Sequence, residues 1–326
     1  MLSPRLLLLL LCLAAVFIGV LAITLGSVQI PLAEIRAVIL GDETGLSRTL
    51  LLELRLPRAI NAFCTGALLS LAGALMQVLV RNPLADPYVL GISGGASLAA
   101  LLAMLLGLGG IWISGGAFVG AMLAMALVFG LARGRGSWTP TRLLLTGVVM
   151  AAGWGALITF VLVISPTQNL RGQLFWLMGD LSYSGSPLYA SVALALGLLA
   201  SWPLARDLNV LNRGRILAGA LGVDTRALQL TLYFLASLLT AVAVVTAGSV
   251  GFVGLVIPHL MRLLGFSDHR QLLPACALAG GSLLLLADTV ARTVMAPQQL
   301  PVGIITALLG VPLFLYLLQR NNGRPT

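Results

Sequence analysis

Long apolar stretches separated by short charged segments dominate this chain. Eight stretches contain no Asp, Glu, Lys or Arg, and together they hold 228 of the 326 residues. A helix needs about 20 mainly apolar residues to cross the hydrocarbon core of a bilayer, so nearly every stretch is long enough for one crossing. The pattern predicts an all-α polytopic membrane protein. The stretches are 6–33, 59–80, 87–132, 143–170, 181–205, 227–261, 271–287 and 293–319.

Glycine and proline clusters mark where one predicted helix ends and the next begins. Gly-Leu-Gly-Gly at 107–110 and Gly-Gly at 115–116 divide the longest stretch, and Gly-Ser-Val-Gly at 248–251 leaves only a short helix behind it. The sequence leaves open whether that short helix spans or re-enters, and it also predicts an amphipathic helix at 31–40. The ten predicted helices are about 6–25, 59–80, 88–106, 114–132, 143–164, 187–205, 228–247, 252–265, 272–290 and 301–318.

The distribution of arginine decides the number and direction of the crossings. Ten crossings with the N-terminus inside place thirteen of the 19 arginines on the inner side, whereas nine crossings would move four of these outside. Cytoplasmic loops of helical membrane proteins carry the excess of basic residues. We therefore expect ten transmembrane helices with both termini cytoplasmic, in one domain over residues 1–326. The first helix is longer than a signal-peptide core and no A-x-A site follows it, so we expect it to remain uncleaved.

Composition excludes several classes of protein. All 19 basic residues are arginine, so a P-loop of the GxxxxGK[ST] type is absent and any ATP must be bound by another subunit. Cys12, Cys64 and Cys276 lie in apolar stretches without disulfide or zinc spacing, which indicates packing residues. The net charge of +9 is scattered between apolar stretches rather than gathered on an aromatic-interleaved face, so nucleic-acid binding is not expected.

Ionisable groups are sparse inside the predicted helices. His259 and His269 lack metal-ligand partners at a suitable spacing apart from Asp268, so no metal site is expected. Ion-coupled carriers tend to hold carboxylates in mid-helix, whereas Asp86 and Asp288 fall at predicted helix ends. An ion-coupled secondary transporter therefore stays the alternative to a transporter powered from outside the bilayer. A membrane-embedded enzyme has little support, because no nucleophile–base pair or metal cluster converges.

Two segments on the predicted cytoplasmic side carry unusual patterns. Residues 81–87 (R-N-P-L-A-D-P) form a proline-bracketed turn before the small-residue run 90–96, and a helix-packing contact is the simpler interpretation of these residues alone. Residues 211–224 form the longest hydrophilic stretch on that side. They predict a short helix broken at Gly222, for which a solvated loop is the commoner interpretation.

Seven separate segments, in the right order, resemble one family. The chain is similar over essentially its whole length to the permease subunits of type II ABC importers for cobalamin, ferric siderophores and haem. The segments are L-R-L-P-R (54–58), R-N-P-L-A-D-P (81–87), A-G-A-L-G (218–222), G-F-V-G-L-V-I-P-H (251–259), D-H-R-Q-L-L-P (268–274), A-D-T-V-A-R (287–292) and L-P-V-G-I-I-T (300–306).

The resemblance implies a non-enzymatic permease that moves a bulky metal chelate from periplasm to cytoplasm by alternating access. It implies a homodimer in the bacterial inner membrane, two cytoplasmic ABC ATPase subunits that bind ATP and magnesium, and a periplasmic substrate-binding protein. The chain itself would bind no cofactor. The motifs do not distinguish cobalamin from siderophores or haem, although residues 251–292 lean slightly towards cobalamin permeases.

The resemblance also implies roles for particular residues. Arg55, Arg58 and Arg292 match outer docking points for glutamates of the binding protein, which suits the planar guanidinium fork. The segment 218–222 matches the coupling helices that fit a cleft on the ATPase. Arg215 departs from the acidic residue common in the family, which changes the polarity of that contact. The expected coupling residues are Arg213, Gly214, Arg215, Ala218, Leu221 and Gly222. The loop 137–141 matches the cytoplasmic gate of the family, with Thr139, Pro140 and Thr141 as the expected gating residues.

Overall fold

A computed structural model gives the structure of residues 3–26, 28, 30–41, 45–133, 139–182 and 184–321, and every regular element in these ranges is a helix. In chain order they are α1 (Pro4–Thr24), α2 (Leu32–Leu40), α3 (Leu46–Arg48), a π-helix (Thr49–Arg55), α4 (Leu56–Val80), a 3-10 helix (Pro87–Leu90), α5 (Ile92–Leu105), α6 (Gly110–Arg133), α7 (Pro140–Ile164), α8 (Thr167–Leu177), α9 (Pro187–Ser201), α10 (Ala205–Asn212), α11 (Arg215–Ala220), α12 (Thr225–Ala247), α13 (Val253–Leu263), α14 (His269–Thr293) and α15 (Val302–Asn321).

Six helical segments among the described residues are long and apolar enough to cross a membrane: α1, the continuous Leu46–Val80, α6, α7, α12 and α14. Helices α9 and α10, bent by 63°, form a seventh candidate, and α5, α13 and the apolar part of α15 are shorter. The prediction of an all-helical, multi-pass membrane protein is therefore confirmed. The number ten and the cytoplasmic termini stay predictions.

Helix α4 lies at the centre of the bundle. It packs against α14, α12, α13 and α9, and Leu68, Leu71 and Leu75 along it have no solvent exposure. By contrast, α1 and α7 expose most of their apolar side chains, including Phe17 and Val163. The peripheral helices therefore present surfaces suited to lipid or to another protein.

Glycines bring the backbone of α4 into direct contact with its neighbours. A Cβ atom built at Gly66 would lie 2.2 Å from the carbonyl oxygen of Gly280 in α14, and one built at Gly73 would lie 1.9 Å from that of Gly254 in α13. Between helices in lipid, van der Waals packing replaces the hydrophobic effect as the driving force, so small residues collect at such crossings. These contacts fix the central position of α4.

The short helix expected after residues 248–251 is α13, which has 11 residues and follows a non-helical segment. Gly248 and Phe252 both adopt positive φ angles, of 69° and 71°. The N–H of Val250 donates to the hydroxyl of Tyr88 at 3.1 Å. Non-helical backbone at membrane depth is tolerated where protein groups satisfy it, so a tertiary contact supports this break.

Three local features differ from the predicted pattern. Helix α8 was not predicted, because its sequence contains Gln, Asn, Arg and Gly and lacks an apolar run. The predicted helix 187–205 ends instead at Ser201, since Pro203 has no backbone N–H to donate to the carbonyl of Leu199. Glycines 115 and 116, expected to help break the long stretch, lie inside α6, whose first residue is Gly110.

We predict that Gly66→Ala lowers the stability of the protein, because the added methyl group must push α14 away from α4. Overpacking of this kind costs about 1–3 kcal/mol. Thermal unfolding of the purified protein in detergent measures the effect. The matched control is Gly130→Ala in α6, where a Cβ atom meets nothing within 4 Å. This control should unfold at or slightly above the wild-type temperature, since alanine favours helix, and equal unfolding of both variants would contradict the close contact.

Candidate functional site

Arg58 lies at the centre of a polar cluster at the N-terminal end of α4. The predicted topology places this end of the helix on the outer side of the membrane. Its Nη2 lies 2.8 Å from Oδ1 of Asp288 in α14, and its Nε lies 3.0 Å from Oδ2 of the same carboxylate. Its Nη1 donates to the side chains of Gln299 at 2.9 Å and Ser182 at 3.2 Å. One guanidinium thus joins α4 to α14 and to two connecting segments.

Arg292 supplies a second cation to the same carboxylate. Its Nε lies 3.4 Å from Oδ2 of Asp288, one helical turn earlier in α14. The sequence placed Asp288 at a helix end, but α14 continues to Thr293, so Asp288 lies inside the helix with 1% of its side chain exposed. The prediction that no carboxylate lies in mid-helix is not contradicted, because Asp288 is five residues from the end of α14, but its side chain is buried and pairs with two arginines.

Arg55 closes the end of α1. Its Nη1 donates to the carbonyl oxygens of Ile23 and Thr24, at 3.0 Å each, and its Nη2 donates to that of Val28. Arg292 donates to the carbonyl of Ala22 from the other side. The last carbonyls of a helix lack partners within it and carry partial negative charge, so cations are stabilised there.

The structure therefore brings the three predicted docking arginines into one cluster, which their positions in the sequence could not show. Arg55 and Arg292 are 7% and 6% exposed and bind groups inside the subunit, whereas Arg58 is the most accessible of the three. Contact of this cluster with a binding protein stays a prediction.

The predicted coupling residues lie together on one short surface segment. Helix α11 is followed by Leu221 and by Gly222 with a φ of +82°, which confirms the expected helix broken at Gly222. Gly214, with a φ of +132°, turns the chain before it. Ala218 is fully buried and anchors the helix. The flanking Arg213 and Arg215 are exposed.

Three large apolar side chains on this segment face outwards. Ile216 is 92% exposed, Leu221 is 63% exposed and Leu217 is 45% exposed. Apolar groups presented beside arginines suit a protein partner better than water, because contiguous exposed apolar surface marks interaction sites.

The helix before this segment is fastened to the start of α14. In α10, Nδ2 of Asn209 donates to Oδ1 of Asp268 at 2.8 Å, and its Oδ1 accepts from the backbone N–H of His269 at 3.0 Å and lies 2.6 Å from the Nδ1 of that ring. The hydrogen bond from Asn209, followed by one from the N–H of Arg270, holds the pKa of Asp268 below its usual value. We call Asn209, Asp268 and His269 the clasp. Sequence reasoning missed it, since Asn209 lies 59 residues from Asp268.

The predicted gate residues begin α7. Oγ1 of Thr139 accepts the N–H of Arg142 at 3.3 Å and caps the helix, and Pro140 occupies its first position. Thr141 is exposed. The rest of the predicted gate loop, Ser137 and Trp138, lies outside the described residues. Gating by this segment stays a prediction.

A cavity of about 930 Å³ lies between α8, the facing ends of α5, α6 and α12, and residues 297–299. Its wall combines amide, charged and aromatic groups, and the guanidinium of Arg171 lies 5.5 Å from the ring centre of Phe175. Ser182 and Gln299, which bind Arg58, line it as well. Other lining side chains include Gln168, Arg171, Phe175, Trp176, Asp180 and Gln298. In the described part of the chain no group of three or more His, Cys, Asp or Glu side chains is arranged to hold a metal ion.

Comparison with known proteins identifies the family. The model of the FecCD transport family matches residues 11–320. The chain belongs to the FecCD transport family. The resemblance drawn from the seven sequence segments is thereby confirmed.

Individual relatives agree with the FecCD assignment. The chain is 43% identical over 285 residues to the vitamin B12 import system permease protein BtuC of Yersinia enterocolitica, covering 86% of this chain and 84% of the relative. It is 38% identical over 320 residues to the uncharacterized ABC transporter permease protein YvrB of Bacillus subtilis, covering 93% and 90%. A solved inward-facing conformation of a metal-chelate type ABC transporter shares 32% identity with a TM-score of 0.84, covering 97% of this chain and 99% of that one.

Membership of the FecCD family makes this chain the permease component of an ABC importer rather than its ATPase, and implies association with ATPase and substrate-binding partners. The exposed segment around α11 and the arginine cluster lie towards opposite ends of α14, and their contact with such partners stays a prediction.

We predict that Asp288→Asn strongly destabilises this FecCD protein, because Arg58 and Arg292 would lose their buried counter-charge. Removing one partner of a buried ion pair costs about 3–5 kcal/mol. Denaturation of the purified protein in detergent measures the loss. Glu53→Gln, at an exposed carboxylate of the π-helix, is the control and should change stability by less than about 0.5 kcal/mol. Similar stability of the two variants would show that the cluster does not hold α4 to α14.

Proposed function

We propose that this chain is the transmembrane subunit of an ATP-driven importer that moves a bulky metal chelate, either cobalamin or an iron(III)-siderophore or haem, from the periplasm to the cytoplasm by alternating access. The observation that carries the proposal is α11, a short helix anchored by buried Ala218 that presents exposed Ile216 to solvent. A permease without a P-loop needs such a contact to receive work from an ATPase. The BtuC relatives favour cobalamin among the three cargoes.

We propose ten crossings with both termini in the cytoplasm of a bacterium whose inner membrane holds the protein. The six long helices, the bent pair of α9 and α10, and the three shorter apolar helices supply ten segments. The ten-crossing arrangement keeps the excess of arginine on the cytoplasmic side. It places α11 inside and the cluster around Arg58 outside.

A second copy of the chain is the proposed partner within the membrane. Helix α7 exposes apolar side chains along most of its length, and Gly153 and Gly155 on it have no neighbouring atom within 4 Å of a built Cβ. Small residues let a second helix approach closely in lipid. The exposed Leu308 and Leu309 of α15 extend the apolar surface available to the dimer.

The outer surface suits a chelate-loaded binding protein. Arg58 and Arg292 pair with the carboxylate of Asp288, and Arg55 lies beside them. The cluster therefore carries net positive charge, which favours acidic groups on an incoming partner. The 930 Å³ cavity shares Ser182 and Gln299 with this cluster. We propose that docking at the cluster and opening of the path for cargo are linked through these two side chains.

An ion-coupled secondary transporter is the alternative, and Asp288 is the buried carboxylate that it would need. Arg58 and Arg292 already pair with that carboxylate, and only 1% of its side chain is exposed, so it offers no open site to a coupling ion. The geometry therefore favours energy supplied by a partner ATPase.

Reconstitution in vesicles tests the proposed function. The chain, its ATPase and a binding protein should accumulate cargo only when ATP is present on the ATPase side, with cobalamin, a ferric siderophore and haem offered in parallel. Vesicles that contain this chain alone should accumulate none of them. Uptake by the chain alone, driven by a proton or sodium gradient, would establish the alternative.

We predict that Ile216→Glu weakens association with the ATPase about tenfold or more, because a carboxylate cannot replace an apolar side chain at the centre of a contact. Ile216→Val is the matched control and should bind normally. Titration of detergent-solubilised permease with the ATPase measures the affinity. Unchanged affinity of the glutamate variant would remove α11 from the proposed interface.

A further inference from the structure

Helix α10 connects the proposed ATPase-contact segment to the membrane core. It ends at Asn212, two residues before Gly214 turns the chain into α11. Leu208 and Leu211 on one face are fully buried. Asn209 on the same helix reaches α14 instead, so α10 is held both by apolar packing and by the clasp.

The clasp requires a carboxamide at position 209. The side chain of Asn209 donates to a carboxylate, that of Asp268, and accepts from the backbone N–H of His269. An aspartate at 209 would lack the N–H donor and would face Asp268 with a like charge. An alanine would leave both partners without their hydrogen bonds to position 209. Only an amide of this length satisfies both neighbours.

Helix α14 is fastened at its other end as well. Asp288 lies 19 residues beyond His269, a distance of about 28 Å along a helix. There it binds Arg58 of α4 and Arg292, and Arg58 contacts the wall of the cavity through Gln299. One buried helix therefore joins the clasp to the arginine cluster.

We propose that Asn209 is a positioning residue that passes the displacement of α11 to α14, and through α14 to the arginine cluster at the opposite side of the membrane. The inference rests on the proposed import function. Apolar packing of α10 alone allows it to slide against its neighbours, whereas three directional hydrogen bonds to the first turn of α14 oblige the two helices to move together.

A suppressor experiment on the complete reconstituted complex tests the role of Asn209. Asn209→Ala and Asn209→Asp should leave ATPase association and ATP hydrolysis within about twofold of wild type, while the cargo moved per ATP falls about fivefold or more. Adding Asp268→Asn to Asn209→Asp should restore that ratio, because the amide and carboxylate have exchanged places and the hydrogen bond reforms. Adding it to Asn209→Ala should not.

The control is Asp207→Asn, on the same helix two residues away, which removes a carboxylate that no clasp hydrogen bond uses. This variant should move as much cargo per ATP as the wild type. The inference is overturned if Asp268→Asn fails to rescue Asn209→Asp, if transport and hydrolysis fall together in the single variants, or if both Asn209 variants fail to assemble. If the wild-type complex itself moves no cargo with ATP, the proposed import function is wrong. If both Asn209 variants move the normal amount of cargo per ATP, only the proposed role of the clasp is wrong.

Discussion

Direct backbone contact of α4 with α13 and α14 is the constraint on which the rest of the structure depends. Water does not drive helices together inside lipid, so close packing must do so. Gly66 and Gly73 let α4 touch α14 and α13 without intervening side chains. This contact sets the relative position of α4 and α14, and therefore determines which polar groups meet at their ends.

At one end of these helices the result is a compact group of charges. Asp288 is buried on α14, and the approach of α4 brings Arg58 to it while Arg292 follows one turn later. Arg292 and the neighbouring Arg55 also bind the last carbonyls of α1. A cluster that resembles a docking surface in the sequence thus also holds three helices together, and a partner that binds it would act on all three.

At the other end, α14 and α10 hold the segment that is predicted to contact the ATPase. Helix α14 begins at His269, where the clasp attaches α10, and α11 follows with its exposed apolar side chains. The proposed import function requires motion received at α11 to reach the other side of the membrane. A single buried helix fastened at both ends provides a physical route for that motion.

The sequence by itself determined the membrane class, the place of most helices, the family and the broken helix at Gly222, because apolar length, glycine and proline act locally. It did not predict α8, whose polar sequence lacks periodicity, or the end of α9. It could not show that Asp288 is buried, that Arg55, Arg58 and Arg292 meet, or that Asn209 reaches Asp268. Those contacts join residues 59 to 270 positions apart, and only the packing of α4, α10 and α14 decides which distant side chains share one buried space.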